Sequence, residues 1–332
     1  MAERPHHHTG KGYRNPPGSP ARKHDRREYW SFIWRRIVSR QAAPIVPLDH
    51  ALDGEAVLQG IAAAGARDSV TWLGHAAFLL RLDGRTVLLD PYLGEFAGPM
   101  SRGPRRFVPP ALAVEQLPPI DLVLVSHNHY DHLCEPTVRA LARRHPSVVM
   151  VPLGLGKFFR RRGFGDVREL DWEQASEAGG LTVTALPAIH WSKRTPFDRN
   201  RSLWASFAVA GARRRIWFAG DTAAGPVFEE IGRRHGPFDA ALVPIGAYEP
   251  RSIMEAHHAN PEEAVAIGRA MRADRLIAMH WGTVVLTDED PFEPPDRFRR
   301  AALAAGLAPE QALVPRIGET IALDDGWPSN RP

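Results

Sequence analysis

Cysteine is almost absent from this sequence. Cys134 is the only one, so no intrachain disulfide can form and the fold must be held by packing. Lysine is nearly as scarce: Lys11, Lys23, Lys157 and Lys193 are the only four, and the rest of the 42 Lys+Arg are arginine. No apolar run approaches the ~20 residues that span a bilayer. The N-terminus lacks the charged-then-apolar pattern of a secretory signal. No period of the solenoid type repeats along the chain. These absences fit a reducing compartment and lead us to expect a cytoplasmic protein.

What is present is ordinary in amount and uneven in placement. Hydrophobic residues make up 44% of the 332, with a mean hydropathy of −0.29, enough for a substantial core. Residues 1–40 hold ten basic and three acidic residues, whereas the whole chain carries only +4, so the remainder is slightly acidic. A nuclease should carry a basic groove on its catalytic part, so nucleic acid is not an expected partner.

The chain reads as three parts: a basic N-terminal arm over 1–45, one catalytic domain over 46–325, and a tail over 326–332. Residues 1–25 are rich in Pro, Gly, His and charge without periodicity, which predicts an extended or disordered arm with His6-His7-His8 solvated. From Tyr29 to Val38 the spacing predicts a helix with Tyr29, Trp30, Ile33, Trp34 and Ile37 on one face. Glu28, Ser31, Arg35 and Ser39 lie on the other, and Phe32 and Arg36 fall off the pattern. Aromatics beside Arg26, Arg27, Arg35, Arg36 and Arg40 suit an anionic membrane surface, so residues 26–40 are a candidate peripheral contact at the inner membrane face. The same face would equally suit packing on the protein's own core.

Beyond residue 46, short β-branched and apolar runs alternate with helical patterns. Strands are expected at 70–73, 77–80, 86–89, 121–125, 148–152, 167–171, 181–186, 203–209, 215–218, 239–243, 276–279 and 320–323. Helices are expected at 136–144, 228–234, 261–272 and 292–303. Many strands interspersed with helices indicate a layered α/β protein.

The chemistry concentrates where strands run out. Ser126-His127-Asn128-His129-Tyr130-Asp131-His132-Leu133 places three imidazoles and a carboxylate directly after a buried strand. In extended backbone His127 and His129 share a face, and the turn beyond aims Asp131 and His132 at a second spot nearby. Held together without a cation these groups would cost desolvation and, once protonated, repel one another. The residue types suit zinc, and imidazole with carboxylate also accommodates iron or manganese. Three further apolar runs end on His190, Asp221 and His280, as if all four strand ends met at one rim. His75 and Asp90 stand at strand ends too, placed to orient ligands by hydrogen bonding.

These residues carry a resemblance. His-x-His-x-Asp-His, a lone His, Gly-Asp-Thr and a second lone His form the ligand series of the metallo-β-lactamase superfamily. Trp72 to Ala76, Gly103 to Phe107, Ser126 to Leu133, His190 to Ser192, Leu203 to Ser206, Ala219 to Thr222, Pro244 to Arg251, Pro261 to Val265 and His280 to Thr283 together resemble its N-acyl-phosphatidylethanolamine-hydrolysing phospholipase D branch. The resemblance implies an αββα sandwich with two metal ions, zinc in the first instance. It places His127, His129 and His190 on one ion, Asp131, His132 and His280 on the other, and Asp221 between them. Asp131, Asp221 and His258 are then the expected catalytic residues, with His258 facing the substrate phosphate. His257, His258, Tyr248, Trp191 and Arg251 are the expected substrate contacts, and Arg105 and Arg106 are further candidates for phosphate. The sequence departs from the branch at His257, where glutamine is usual, and at Ala223-Ala224, where Gly-Tyr is usual.

The expected activity is therefore phosphodiester hydrolysis on N-acyl phosphatidylethanolamine or a related phospholipid, by a hydroxide shared between two cations. The alternatives are a metallo-hydrolase of a lactone or nucleotide phosphodiester, and a non-catalytic metal-binding protein. A homodimer is compatible with the sequence.

Overall fold

Apolar strands punctuated by turn residues pair into two sheets. The computed structural model describes residues 5–23, 25–38 and 43–323. The first sheet is built from β1 (Ser69–Gly74), β2 (Ala77–Leu82), β3 (Arg85–Leu89), β4 (Leu122–Leu124), β5 (Val148–Pro152) and β6 (Val167–Leu170). The second takes β7 (Ala175–Ala178), β8 (Leu181–Leu186), β9 (Ser206–Ala210), β10 (Arg215–Phe218), β11 (Ala240–Pro244), β12 (Leu276–Met279) and β13 (Ala312–Leu313). β14 (Thr320–Ala322) returns to pair antiparallel with β1, giving the orders β14-β1-β2-β3-β4-β5-β6 and β13-β12-β11-β10-β9-β8-β7.

Each sheet is antiparallel in its first strands and parallel in its later ones. Parallel pairing needs long crossovers, and these carry every helix beyond residue 130. The helices are α1 (Arg26–Val38), α2 (Gly54–Ala64), α3 (Glu135–Arg144), α4 (Gly156–Arg160), α5 (Val227–His235), α6 (Arg251–Met254), α7 (Pro261–Ala270) and α8 (Pro294–Ala304). α7 starts on a capping box, with Asn260 accepting from Glu263 N and Glu263 accepting from Asn260 N.

Alternation along each strand explains the layers. In β2, Phe78, Leu80 and Leu82 face the space between the sheets, while Ala77 and Leu79 face the outer cluster around Val138, Leu141 and Phe159. Val87 and Leu89 against Leu88 repeat this in β3. Each large side chain so buried contributes about 1.5–3 kcal/mol. The result is the αββα sandwich. Among the described residues, no helix is long and apolar enough to cross a membrane.

Several expectations are corrected. The arm is not free: residues 5–23 lie on the second half of the domain. His7 is buried against Trp172, and His7 and His8 both bond Asp171 instead of sitting in solvent. In α1 the helical phase is shifted. Phe32, off the expected face, is the buried residue among the side chains described in the helix, whereas Trp30 and Trp34 are 65% and 67% exposed. Ser39, Arg40 and the tail 326–332 lie outside the described residues, as do the side chains of Arg36 and Ile37. The run at 203–209 becomes a strand only from Ser206, because Leu203 and Ala205 bond loop carbonyls of Leu153 and Ser126.

Candidate metal centre

Strand ends of both sheets supply the centre. β4 delivers residues 126–132, and β8, β10 and β12 run out into His190, Asp221 and His280. Gly220 has φ +59°, and a Cβ there would lie 2.7 Å from Ser126 Cβ, so only glycine lets the chain turn and bring Asp221 across. His75, Asp90 and His280 also adopt positive φ, of 58°, 36° and 64°. Such backbone costs on the order of 1–3 kcal/mol per residue, and here it is accepted where a side chain is needed that glycine lacks.

Two groups of donor atoms result. His127, His129, His190 and Asp221 form one, and His75, Asp131, His132 and His280 the other, with each group's atoms within 4.8 Å of one another. His127 Nε2 lies 2.8 Å from His129 Nδ1, which lies 3.1 Å from His190 Nε2. Asp221 stands between the groups: its Oδ2 is 3.1 Å from His132 Nε2 and 3.7 Å from His190 Nε2, and its Oδ1 is 3.1 Å from His280 Nε2. All seven sequence-predicted donors thus converge, and His75 joins them through Asp131 Oδ2 at 3.0 Å.

These residues fit cations. A proton can bridge two imidazole nitrogens but not three, and ligands of a tetrahedral zinc at ~2.0–2.1 Å would be spaced on this scale. The electrostatics agree. Burial drives the His127 and His129 imidazoles well below their usual value, leaving neutral rings with lone pairs to offer. Burial opposes charge on His132 as well, yet Asp221, Asp131 and Asp90 outweigh it and hold that ring well above its usual value. His280 rises to about 9, with Asp221 and Asp131 again overcoming burial. Burial alone would raise Asp131 and Asp221, but the surrounding histidines hold both carboxyls well below the usual range. The carboxylates thus demand positive charge, which divalent cations would supply in place of protons.

A second layer fixes which nitrogen is free. Asp90, wholly buried, accepts from Ser126 N and from His132 Nδ1, both at 2.6 Å, and from the Ser126 hydroxyl. Ser126 Oγ in turn lies 2.9 Å from His127 Nδ1. One carboxylate therefore turns Nε2 of both His127 and His132 toward the centre. The His257 carbonyl does the same for His190 by accepting from Nδ1 at 2.9 Å. His75 is lowered to about 3, chiefly by burial, so the neutral ring donates to Asp131 and accepts from Thr283 Oγ1 at 2.9 Å.

A cavity of about 800 Å³ opens above the centre. His129, Asp131, Asp221 and His258 form its floor, with His257 and Trp191 beside them. Tyr29, Phe32 and Ile33 of α1, with Ile253 and Met254, give apolar walls, and Arg22, Arg26 and Arg199 line it as well. Burial lowers His258 to about 3 and His257 to about 2, so both rings are neutral near pH 7.

Other expected substrate contacts lie elsewhere. Tyr248 is fully buried, its hydroxyl donating to Glu293 at 3.2 Å. Arg251 pairs with Glu263 at 2.7 Å and donates to the His258 carbonyl at 3.2 Å, so it braces His258 from behind. Arg105 pairs with Glu95 at 2.6 Å, and Arg106 is buried, donating to the carbonyls of Tyr92 and Val108. Sequence reasoning missed Arg22, Arg26 and Arg199 at the cavity, because no motif surrounds them.

Known proteins share this architecture. The family model for the beta-lactamase superfamily domain matches residues 85–281. N-acyl-phosphatidylethanolamine-hydrolyzing phospholipase D 1 of Caenorhabditis elegans is 43% identical over 242 residues, covering 69% of this chain and 68% of its own. An uncharacterized protein of Mycobacterium tuberculosis is 40% identical over 279 residues, covering 82% of this chain and 72% of its own. The structure of Igni18, a metallo hydrolase of Ignicoccus hospitalis, superposes with a TM-score of 0.58 at 22% identity, covering 77% of this chain and 98% of its own. The chain belongs to the metallo-β-lactamase superfamily, in the branch that includes N-acyl-phosphatidylethanolamine-hydrolysing phospholipase D. It is a metal-dependent hydrolase with a His/Asp centre of the binuclear type.

Proposed function

We propose that this hydrolase is a phosphodiesterase of phospholipase D type, acting on N-acyl phosphatidylethanolamine or a related phospholipid. The observation that carries the reading is the pairing of a two-group donor centre with an apolar-walled cavity above it. The named activity of the Caenorhabditis elegans relative supports the same substrate class.

His127, His129 and His190 would hold one cation, Asp131, His132 and His280 the other, and Asp221 would reach both. Zinc is proposed, since imidazole-rich sets with carboxylate suit it, and iron or manganese would fit the same donors. When bound, the ions supply Lewis acidity for a water and for the phosphoryl oxygens. The chain's own residues do the rest. His258, neutral, with Nδ1 4.0 Å from Asp221 Oδ2 and in no hydrogen bond, offers an N–H to a phosphoryl or leaving-group oxygen. The walls from α1 and α6 exclude water around acyl chains. Trp191, under the Arg199 guanidinium at 4.4 Å, provides a flat apolar surface beside the floor.

α1 would also meet the lipid surface. Trp34 is exposed and Trp30 is exposed at the cavity's edge, beside Arg26 and Arg27, a combination that suits an anionic interface. The experiment is a substrate panel with the metal-loaded chain: N-acyl phosphatidylethanolamine, phosphatidylcholine, a cyclic nucleotide and a lactone. Release of phosphatidic acid from the first supports the reading, and turnover of only the lactone or nucleotide refutes it. Vesicle sedimentation of the whole chain and of Trp34→Ala tests docking, and equal binding would end that part of the proposal.

A further inference from the structure

The N-terminal strap, not only the sandwich, builds the metal centre. We infer that Asn15 is a positioning residue for His190, an inference that rests on His190 being a metal ligand. Asn15 Oδ1 accepts from the His190 backbone N–H at 3.0 Å and from Trp204 Nε1 at 3.0 Å. Trp204 Nε1 also donates to the Ala188 carbonyl at 2.9 Å, so Asn15 ties the turn before His190 to a fully buried ring.

The same turn is held by three further bonds, one of them from Ala223 N to the Ile189 carbonyl at 2.8 Å. Ile189 N donates to Thr222 Oγ1 at 2.9 Å, and the His190 ring donates to the His257 carbonyl. Among these holds, Asn15 is the one that acts on the His190 backbone amide. Without it that amide loses its acceptor, and the strand end gains freedom to rotate the imidazole away from His129.

The strap can hold this position because it is anchored on both sides of Asn15. Upstream, His7 Nε2 and His8 Nε2 bond the two oxygens of Asp171 at 2.6 and 2.7 Å, with the His7 ring tilted against Trp172 at 4.3 Å between centroids. A small hairpin pairs His8 with Tyr13, and Tyr13 N donates to the Asn200 carbonyl at 2.8 Å. Gly12 permits that approach, since a Cβ there would come within 2.0 Å of Asn200 O. Downstream, Pro16 is buried and Lys23 pairs with Glu255 at 2.7 Å. The strap therefore runs from the β6–β7 connection across the His190 turn to α1, which walls the cavity.

The test measures cation retention, not turnover. Asn15→Ala and Asn15→Asp are loaded with zinc or cobalt, and loss to a chelator is followed by metal analysis and by the cobalt absorption spectrum. Asn15→Ala should lose one of its two cations about 10–100-fold more readily than the natural chain, with an altered cobalt spectrum. Asn15→Asp, which keeps an acceptor at the same place, should restore most of the retention. Circular dichroism and thermal melting establish that both variants are folded. Natural-like retention by folded Asn15→Ala would overturn the inference, as would a loss that Asn15→Asp fails to rescue. A natural chain that binds no cation would instead refute the metal reading beneath it.

Discussion

Asp90→Asn separates ligand orientation from ligand identity. The side chain keeps its shape, so packing is unchanged. Its Oδ1 must still accept from Ser126 N, which is buried and 2.6 Å away, and this directs the new NH2 toward the place of Oδ2. That group would face the Ser126 hydroxyl and the His132 Nδ1–H, both donors. Relief requires His132 to move its proton to Nε2, the atom that faces Asp221 at 3.1 Å and is offered to a cation. Flipping the amide instead leaves the Ser126 N–H facing a donor. Either route costs about 1–3 kcal/mol, the penalty for an unsatisfied buried donor. That corresponds to a roughly 10–100-fold weaker hold on one cation, in line with other losses of a ligand's orienting partner. Chelator titration followed by metal analysis reads this directly, and the melting temperature should stay within a few degrees of the natural chain. A folded Asp90→Asn protein that binds both cations with natural affinity would refute the tautomer argument.

Three more predictions follow from the same geometry. His132 stands well above its usual value and His280 at about 9, so both carry protons near neutral pH that a cation must displace. Cation uptake should release protons, visible as a buffer-dependent heat in calorimetry, and affinity should fall as pH drops. Gly246→Ala should destabilise by about 1–3 kcal/mol and loosen one cation, because its Cβ would lie 2.1 Å from the His280 carbonyl oxygen; melting and metal content check this. The strap's latch should weaken in acid. Burial holds His7 below 6.5, so its contribution is complete above that pH and is lost as pH falls below it. For Asp171, burial is outweighed by His7 and His8, the carboxyl lies below 3.8, and a second loss follows as pH falls through that region. The melting difference between the natural chain and His7→Ala should therefore shrink from pH 7.5 to pH 5.

How much of this was legible follows from how local each signal is. The seven donors were readable because four of them cluster just past one apolar run and the other three each end another, and a strand end is a place that sequence alone can mark. The partnership of Asp90 with His132 was readable only as a type of contact, since 42 residues separate them. The strap was illegible: His7, His8 and Asn15 gain meaning only from Asp171 and His190, more than 160 positions away. β7 escaped because Ala175–Ala178 has no apolar alternation, and α2 because its small residues give a weak stripe despite the Asp53 cap. In α1 the wheel found the aromatics but not the phase, because Phe32 is claimed by a neighbour that the helix itself does not reveal. Tyr248 looked like a pocket residue by type, yet its hydroxyl is spent on Glu293 beneath Arg297.

β14 has a consequence for biosynthesis. Its residues, Thr320–Ala322, close the edge of a sheet whose other six strands end at Leu170. A chain still emerging from the ribosome can complete its second sheet while β1 waits with an open edge for a partner made after every other described strand. Until that strand arrives, the half that bears His127, His129, Asp131 and His132 is unfinished, so truncation shortly before Thr320 should expose a sticky edge on the strand that leads into His75.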